Sequence, residues 1–128
     1  GGPVARAEVV GGVVNLVVDG SRTDLLIVDT GLVLVPGLPR SQNGSAKRRL
    51  ARFAAAELRD DTAPGTRFVP YAEVAGAVQT RRTPKAWDLS LRDGGTLSLR
   101  TSIDSDELPG GWAALDQAVA FLARTRPA

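Results

Sequence analysis

The chain has 128 residues, 43% of them hydrophobic and 23% charged, with a net charge of +2 and neither cysteine nor histidine. This length and composition indicate one globular domain, and the interleaved charges do not form the concentrated basic face that strong non-specific nucleic-acid binding needs. The missing residue types exclude disulfides, thiolate and imidazole metal sites, cysteine nucleophiles and histidine-dependent catalysis. We therefore expect no catalytic site, no metal site and no cofactor.

Three apolar runs rich in valine and leucine begin the predicted domain, after an N-terminal extension over residues 1–12. Asp19-Gly20 is a turn signal between the first two runs. Asp29-Thr30-Gly31 separates the second and third, and a glycine in last place is typical of a three-residue loop closed by a left-handed residue. The pattern predicts strands over 13–18, 24–28 and 32–35.

The segment from Leu38 to Gly65 is too long for a bare loop in a compact domain, so it should contain structure of its own. Apolar residues recur there at helical spacing, which predicts a helix inserted between the third and fourth strands over residues 45–58. The residues that define the spacing are Ala46, Leu50, Phe53, Ala54 and Leu58.

Four further strands are predicted over 66–69, 74–82, 87–92 and 96–101. The last two alternate apolar and polar residues, which allows their register to be predicted from the buried face. A three-residue loop, 93–95, with Gly95 left-handed, pairs Leu91 with Leu97 and Leu89 with Leu99, so that leucine faces leucine. Seven antiparallel strands result.

The C-terminal segment has the clearest helical pattern. Trp112, Leu115, Val119 and Leu122 recur at steps of three, four and three, which places them on one helix face. Pro109-Gly110-Gly111 precedes them and Pro127 follows. We expect this helix to cap a small barrel or sandwich, with Trp112 directed inward.

Three groups of residues suggest chemistry but favour structural interpretations. Asp104-Ser105-Asp106-Glu107 fails as a calcium loop, because Pro109 stands where glycine is needed and Leu115 where glutamate is needed. We interpret these acids as a polar loop that favours the following helix N-terminus. Asp60-Asp61 is typical of a solvated loop rather than a catalytic pair. Tyr71 is expected to pack with its hydroxyl satisfied.

Two basic clusters remain as candidate ligand-binding residues. The first comprises Lys47, Arg48, Arg49 and Arg52, and the second comprises Arg81, Arg82 and Lys85. The second lies in the connection leading to Trp87, an exposed position suited to a ligand loop. Solvated surface charge is the alternative interpretation. The functional interpretation is contact with an anionic membrane surface or an acidic partner, worth on the order of 1 kcal/mol per basic residue.

The phrases Asp24-Leu-Leu-Ile-Val-Asp-Thr-Gly-Leu-Val-Leu-Val35, Phe68-Val-Pro-Tyr-Ala-Glu-Val74 and Leu89-Ser-Leu-Arg-Asp-Gly94 complete the pattern. With seven antiparallel strands and a capping helix, residues 13–126 resemble a bacterial pleckstrin-homology-like or GRAM-like domain. The resemblance implies a mainly β (α+β) barrel or sandwich over residues 13–128, without enzymatic activity. Members that recognise phosphoinositides carry a basic motif around the first hairpin, whereas this chain has Asp19-Gly20-Ser21-Arg22-Thr23 there.

The expected function is a binding or regulatory module that contacts another protein or an anionic membrane, as part of a larger membrane-associated protein. We expect it in the cytoplasm or at the inner membrane face, with a parent chain that can contain transmembrane segments. No specific nucleic-acid partner is expected. One alternative is a small-ligand carrier or enzyme with a pocket in the barrel, lined by carboxylates or Tyr71. Nucleic-acid binding, with a steep salt dependence, is the other alternative.

Overall fold

The computed structural model describes residues 8–55 and 65–124. Within them the chain forms eight strands and two α-helices, so the predicted mainly β, α+β class is confirmed. The first four strands are β1 Val9–Val18, β2 Ser21–Val28, β3 Gly31–Pro36 and β4 Arg67–Pro70, with helix α1 Asn43–Ala55 between β3 and β4. The remaining elements are β5 Val74–Arg82, β6 Lys85–Leu91, β7 Thr96–Arg100, β8 Asp106–Glu107 and helix α2 Gly111–Arg124.

The strands form one antiparallel sheet in the order β4-β3-β2-β1-β7-β6-β5, and the short β8 pairs with β1. The sheet is open, with β4 and β5 at its two edges. A single 3-10 turn, Tyr71–Glu73, joins these edges. Val69 of β4 and Val74 of β5 belong to the same buried cluster. The sheet therefore folds over on itself around this cluster without closing by hydrogen bonds.

Strands β1, β2 and β3 are buried on both faces. Leu25 and Ile27 pack in the main cluster with β5, β6, β7 and α2, whereas Leu26 and Val28 pack in a second cluster with α1. A strand buried on both sides has no reason to alternate polar residues. This explains the continuous apolar runs of β2 and β3, and it contrasts with β6, whose Asp88 and Ser90 face outward.

Helix α1 covers the outer face of β1–β3, and the predicted helical insertion is confirmed. Ala46, Leu50 and Phe53 are buried against the sheet, as their spacing predicts. Residues 56–64 lie outside the described residues, and with them Leu58 and Asp60-Asp61. Strand β1 begins at Val9, four residues before the predicted strand, so residues 9–12 are part of the sheet.

Helix α2 packs in the main cluster as predicted, but its buried stripe is rotated from the expected one. Ala114, Leu115, Ala118 and Leu122 are buried, whereas Trp112 and Val119 are only partly buried. Trp112 packs against the main cluster but stays partly exposed, so the prediction that it points inward is confirmed only in part. Gly11 and Gly111 let β1 and α2 approach so closely that a Cβ on Gly11 would lie 2.8 Å from the Ala114 Cβ.

The turn between β2 and β3 differs from the prediction. Val28 pairs directly with Gly31, so the loop has two residues, Asp29 and Thr30. Gly31 does not take a left-handed conformation. A Cβ on this residue would clash with the Val69 carbonyl oxygen and the Phe68 ring. Glycine is needed here because β4 approaches closely, rather than for the turn.

The register of the β6–β7 hairpin differs by two residues from the prediction. Leu89 pairs with Leu97 and Trp87 with Leu99. The Leu91 amide donates to the Gly95 carbonyl, at 2.8 Å, so the loop comprises residues 92–94. Gly94, with φ of 93°, takes the left-handed position in place of Gly95. The apolar faces still meet, since a shift of two residues keeps every side chain on its side of the sheet.

Candidate basic surface on the β5–β6 hairpin

The second basic cluster lies at the tip of the β5–β6 hairpin, as the sequence predicts. Arg82 pairs with Lys85, and Thr83-Pro84 forms the two-residue connection between them. Arg81 and Arg82 are exposed and Lys85 is half-buried. The outer half of β5 projects beyond the buried core, because only its first residues, Val74 to Ala77, contact the interior.

A fourth cation, Arg100, joins this cluster through strand pairing. Ala86 of β6 pairs with Arg81 on one side and with Arg100 on the other. Residues directly opposite each other in antiparallel strands project from the same face. The two arginines therefore stand on either side of a single methyl group, on the sheet face that no other described element covers.

Both arginines and the buried Ala86 line one depression, which we call the arginine depression. It has a volume of about 370 Å³, and its lining includes Thr80, Arg81, Lys85, Ala86, Arg100 and Thr101. None of the described residues that line it is acidic. The Thr101 hydroxyl donates to the Lys85 carbonyl, at 2.9 Å, and this bond fixes the end of β7 against the hairpin.

A second depression lies on the other side of the hairpin tip, and we call it the tryptophan depression. It has a volume of about 440 Å³ and is lined by residues that include Arg82, Lys85 and Trp112. The Lys85 ammonium contacts an Asp116 carboxylate oxygen of α2 at 3.0 Å. Both side chains are about half-exposed, so this ion pair contributes little to stability. Lys85 borders both depressions.

The arginines of the hairpin surface have no ion-pair partner among the described residues. We define the hairpin surface as Arg81, Arg82, Lys85 and Arg100, of which only Lys85 contacts a carboxylate. On the same sheet face, Asp88 lies two residues along β6 from Ala86, where it pairs with Val78 and Ser98. Two strand residues span about 6.8 Å, so Asp88 lies beside the depression and not within it.

The first basic cluster is divided between internal contacts and solvent. Lys47 forms an ion pair with Asp106 at 3.3 Å. Arg49 contacts Asp24 at 3.0 Å and also donates to the Pro36 carbonyl. Arg48 and Arg52 are exposed. This cluster lies on α1, which packs on β1 and β2, whereas the hairpin surface lies on β5, β6 and β7.

Asp24 is the partner that the sequence did not reveal for Arg49. It is fully buried, and its Oδ1 accepts from the Asn15 amide at 3.0 Å. Burial raises the pKa of Asp24 above its ordinary value, against the opposing effects of the Asn15 amide, Arg49 and Arg22. Asn15 occupies a bulge of β1 opposite Asp24, in the left-handed region with φ of 62°. The Asp24 carboxylate therefore caps the bulge and ties α1 to the sheet.

The remaining candidates have structural roles. The Tyr71 hydroxyl donates to the Val28 carbonyl at 3.2 Å, and its ring packs 5.7 Å from that of Phe121. The partial burial of Tyr71 raises the pKa of its hydroxyl, and the nearby Asp29 adds to this. Glu107 accepts from the Trp112 amide at 2.6 Å, which is the helix N-terminal role expected of this acidic loop.

Asp106 has its pKa lowered by the Glu107 amide and by Lys47. No cluster of three or more metal-ligating side chains occurs among the described residues.

Comparison with known proteins gives no further assignment, because no protein-family model, no curated protein and no solved structure matches the chain. In the part of the chain that the structure describes, no helix is long and apolar enough to cross a membrane.

Proposed function

We propose that the chain is a non-catalytic binding and regulatory module that contacts an anionic membrane through its hairpin surface. The observation that carries the proposal is the convergence of Arg81, Arg82 and Arg100 around one hairpin, without a carboxylate partner among the described residues. Unpaired arginines at a projecting edge are placed to meet an external anion. The site of action is the cytoplasmic face of a membrane.

The expected strength of this contact is modest. Four basic residues at about 1 kcal/mol each give about 4 kcal/mol, roughly a thousandfold gain in local affinity. Asp116 and Asp88 reduce this gain, and salt screens it over about 10 Å at 0.1 M. A contact of this size does not anchor a protein alone, since stable anchoring needs two signals. The module therefore acts within a larger membrane-associated protein.

The interior favours this proposal over a barrel-pocket enzyme or carrier. The space between the two halves of the sheet is filled by apolar side chains, among them Trp87, Leu89, Leu97 and Leu115. Both depressions have basic side chains in their lining, and Tyr71 borders neither of them. The resemblance to pleckstrin-homology-like domains remains part of the proposal, supported by the order of seven antiparallel strands, the two-residue β8 and a C-terminal helix.

The test is vesicle co-sedimentation with phosphatidylcholine containing increasing phosphatidylglycerol, at 50 and 300 mM salt. We expect binding that grows with the anionic fraction and falls at high salt. The double variant Arg81→Gln/Arg82→Gln removes two charges from the hairpin surface and should weaken binding about tenfold or more. An acidic polypeptide and duplex DNA, tested at the same salt, represent the alternative partners.

The matched control is Arg67→Gln/Arg124→Gln, which removes one exposed charge from β4 and one from the last turn of α2. Arg124 lies about 18 Å along α2 from Trp112, away from the hairpin. The variant Arg48→Gln/Arg52→Gln tests the α1 cluster separately. Absence of vesicle binding at 50 mM salt, or equal losses in all three variants, would refute the proposal.

A further inference from the structure

The arginine depression has a geometry that a general basic surface lacks. Neighbouring strands are about 4.8 Å apart, so the Cα atoms of Arg81 and Arg100 are separated by about 10 Å across Ala86. The side chains share one face, and only a methyl group stands between them. A volume of about 370 Å³ is about twelve times the ~30 Å³ that one water molecule occupies. The space admits an anionic group together with part of its hydration.

The basic lining of the depression matches the chemistry of a phosphate group. Each guanidinium presents N–H donors in a planar fork that matches two oxygens of a phosphate. A phosphomonoester offers three terminal oxygens and a charge of −1.5 to −2 at pH 7, enough to engage two arginines at once. A phosphodiester offers one charge and two free oxygens, which one arginine satisfies. Lys85 also lines the depression, and its ammonium is paired with Asp116.

We infer that the arginine depression is a binding site for a phosphomonoester group held between Arg81 and Arg100 over Ala86. This inference rests on the proposed function, because it specifies the anion that the hairpin surface meets. The group belongs either to a membrane lipid headgroup or to a soluble phosphate compound. The fork geometry, rather than charge alone, gives the site its preference.

The lipid arm compares vesicles containing phosphatidic acid, a phosphomonoester, with vesicles containing phosphatidylglycerol, a phosphodiester, adjusted to equal surface potential. We expect binding to phosphatidic acid to be about tenfold tighter, the ratio of roughly one charge-assisted hydrogen bond. Arg81→Lys/Arg100→Lys keeps both charges but loses the forks. This variant should still bind phosphatidylglycerol vesicles but lose the preference for phosphatidic acid. Ala86→Val fills the space without changing charge, and we expect the same result from it.

To test soluble phosphate compounds, inorganic phosphate and glycerol 3-phosphate are titrated into the ¹⁵N-labelled chain and followed by NMR. Sulfate, a dianion of the same shape, is titrated for comparison. The Nε–Hε signals of Arg81 and Arg100 should shift together, and that of Arg67 should not. Far-ultraviolet circular dichroism and thermal unfolding of each variant establish that it is folded before its binding is compared.

The outcomes distinguish a lipid headgroup from a soluble phosphate compound, and they separate the failure of this inference from the failure of the proposed function. A preference for phosphatidic acid that the lysine variant abolishes supports a lipid headgroup. Joint arginine shifts with phosphate, without a lipid preference, support a soluble phosphomonoester. Equal binding to both vesicle types by the native chain and the lysine variant, with no joint shift, overturns this inference and leaves the proposed function standing. Absence of all vesicle binding overturns the proposed function, and the phosphate titration then decides the site alone.

Discussion

Replacing Arg49 by methionine tests whether a buried ion pair holds α1 on the sheet. Asp24 is fully buried and receives the Arg49 guanidinium at 3.0 Å. Removing one partner of a buried pair costs about 3–5 kcal/mol. The Arg49 side chain is 34% exposed, so we expect a smaller cost, about 2–3 kcal/mol. With an unfolding entropy of about 2.1 cal/mol/K per residue, this lowers Tm by roughly 7–11 °C.

The pH dependence identifies Asp24 as the group responsible. Burial already raises the pKa of Asp24, and loss of Arg49 raises it further. A carboxyl with a raised folded-state pKa binds more protons folded than unfolded, so its ionisation costs stability. This cost is absent below the unfolded-state pKa of Asp24, near 3.8, and complete above its folded-state pKa. The deficit of Arg49→Met should therefore be largest near neutral pH and shrink as the pH falls through the raised pKa.

The assay is urea unfolding of both proteins between pH 4.5 and 7.5. In an Asp24→Asn background, the loss of Arg49 leaves no buried carboxylate without a partner. Arg49→Met should then lower the free energy of unfolding by less than about 1 kcal/mol. A deficit that stays constant, or that grows towards acid pH, would show that Asp24 is not the partner that matters.

Three further predictions concern the backbone and the basic surface. Asn15→Ala should destabilise the fold by about 1 kcal/mol more than Asn15→Gly in urea unfolding, because alanine resists the positive φ of 62°. Gly31→Ala should lower Tm, since its Cβ would clash with the Val69 carbonyl oxygen, whereas Gly44→Ala in α1 meets nothing within 4 Å and should gain up to about 1 kcal/mol. Asp88→Asn should strengthen binding to phosphatidylglycerol vesicles at 50 mM salt about fivefold; unchanged binding would mean that Asp88 does not oppose the hairpin surface.

The class of the fold is predictable because buried faces of strands and helices place apolar residues at regular spacings in the sequence. The seven strand segments and both helices were predicted from apolar runs, alternation and helical spacing, and the structure contains each of them. Strand β8 has only two residues, Asp106 and Glu107, which is too short to leave a period. The predicted stripe on α2 is displaced from the buried one because the buried Ala114 and Ala118 are small, whereas Trp112 and Val119 are larger apolar residues at helical spacing.

The candidate site was predictable only in part, because it depends on register. Arg81, Arg82 and Lys85 are close in sequence, so their cluster was visible. Arg100 joins them only through its pairing with Ala86. The predicted register would instead have placed Arg100 opposite Asp88 and neutralised it. Hydrophobic patterning cannot distinguish registers that differ by two residues, since both keep leucines on the buried face.

The turn decided between the two registers. Two successive glycines, Gly94 and Gly95, each accept a left-handed conformation at little cost. The Asp93 side chain accepts from the Gly95 amide at 2.8 Å, a local bond typical of aspartate in turns. Gly94 then takes the positive φ, and β7 shifts by two residues relative to the prediction. A choice between adjacent glycines therefore determines which residue faces Arg100, and with it the charge of the outer sheet surface.

Contacts with neighbouring loops explain why Arg22 is paired and the outer arginines of the hairpin surface are not. One row of residues runs across the same sheet face from Arg81 through Ala86, Arg100 and Val17 to Arg22. At the β2 end of the row, Arg22 donates to the Leu38 carbonyl at 3.1 Å and lies 3.6 Å from an Asp104 oxygen. A partly buried cation needs such partners because burial removes water. The outer face of β5–β7 has no second layer among the described elements, so Arg81 and Arg100 require no internal carboxylate and stay available to an external anion.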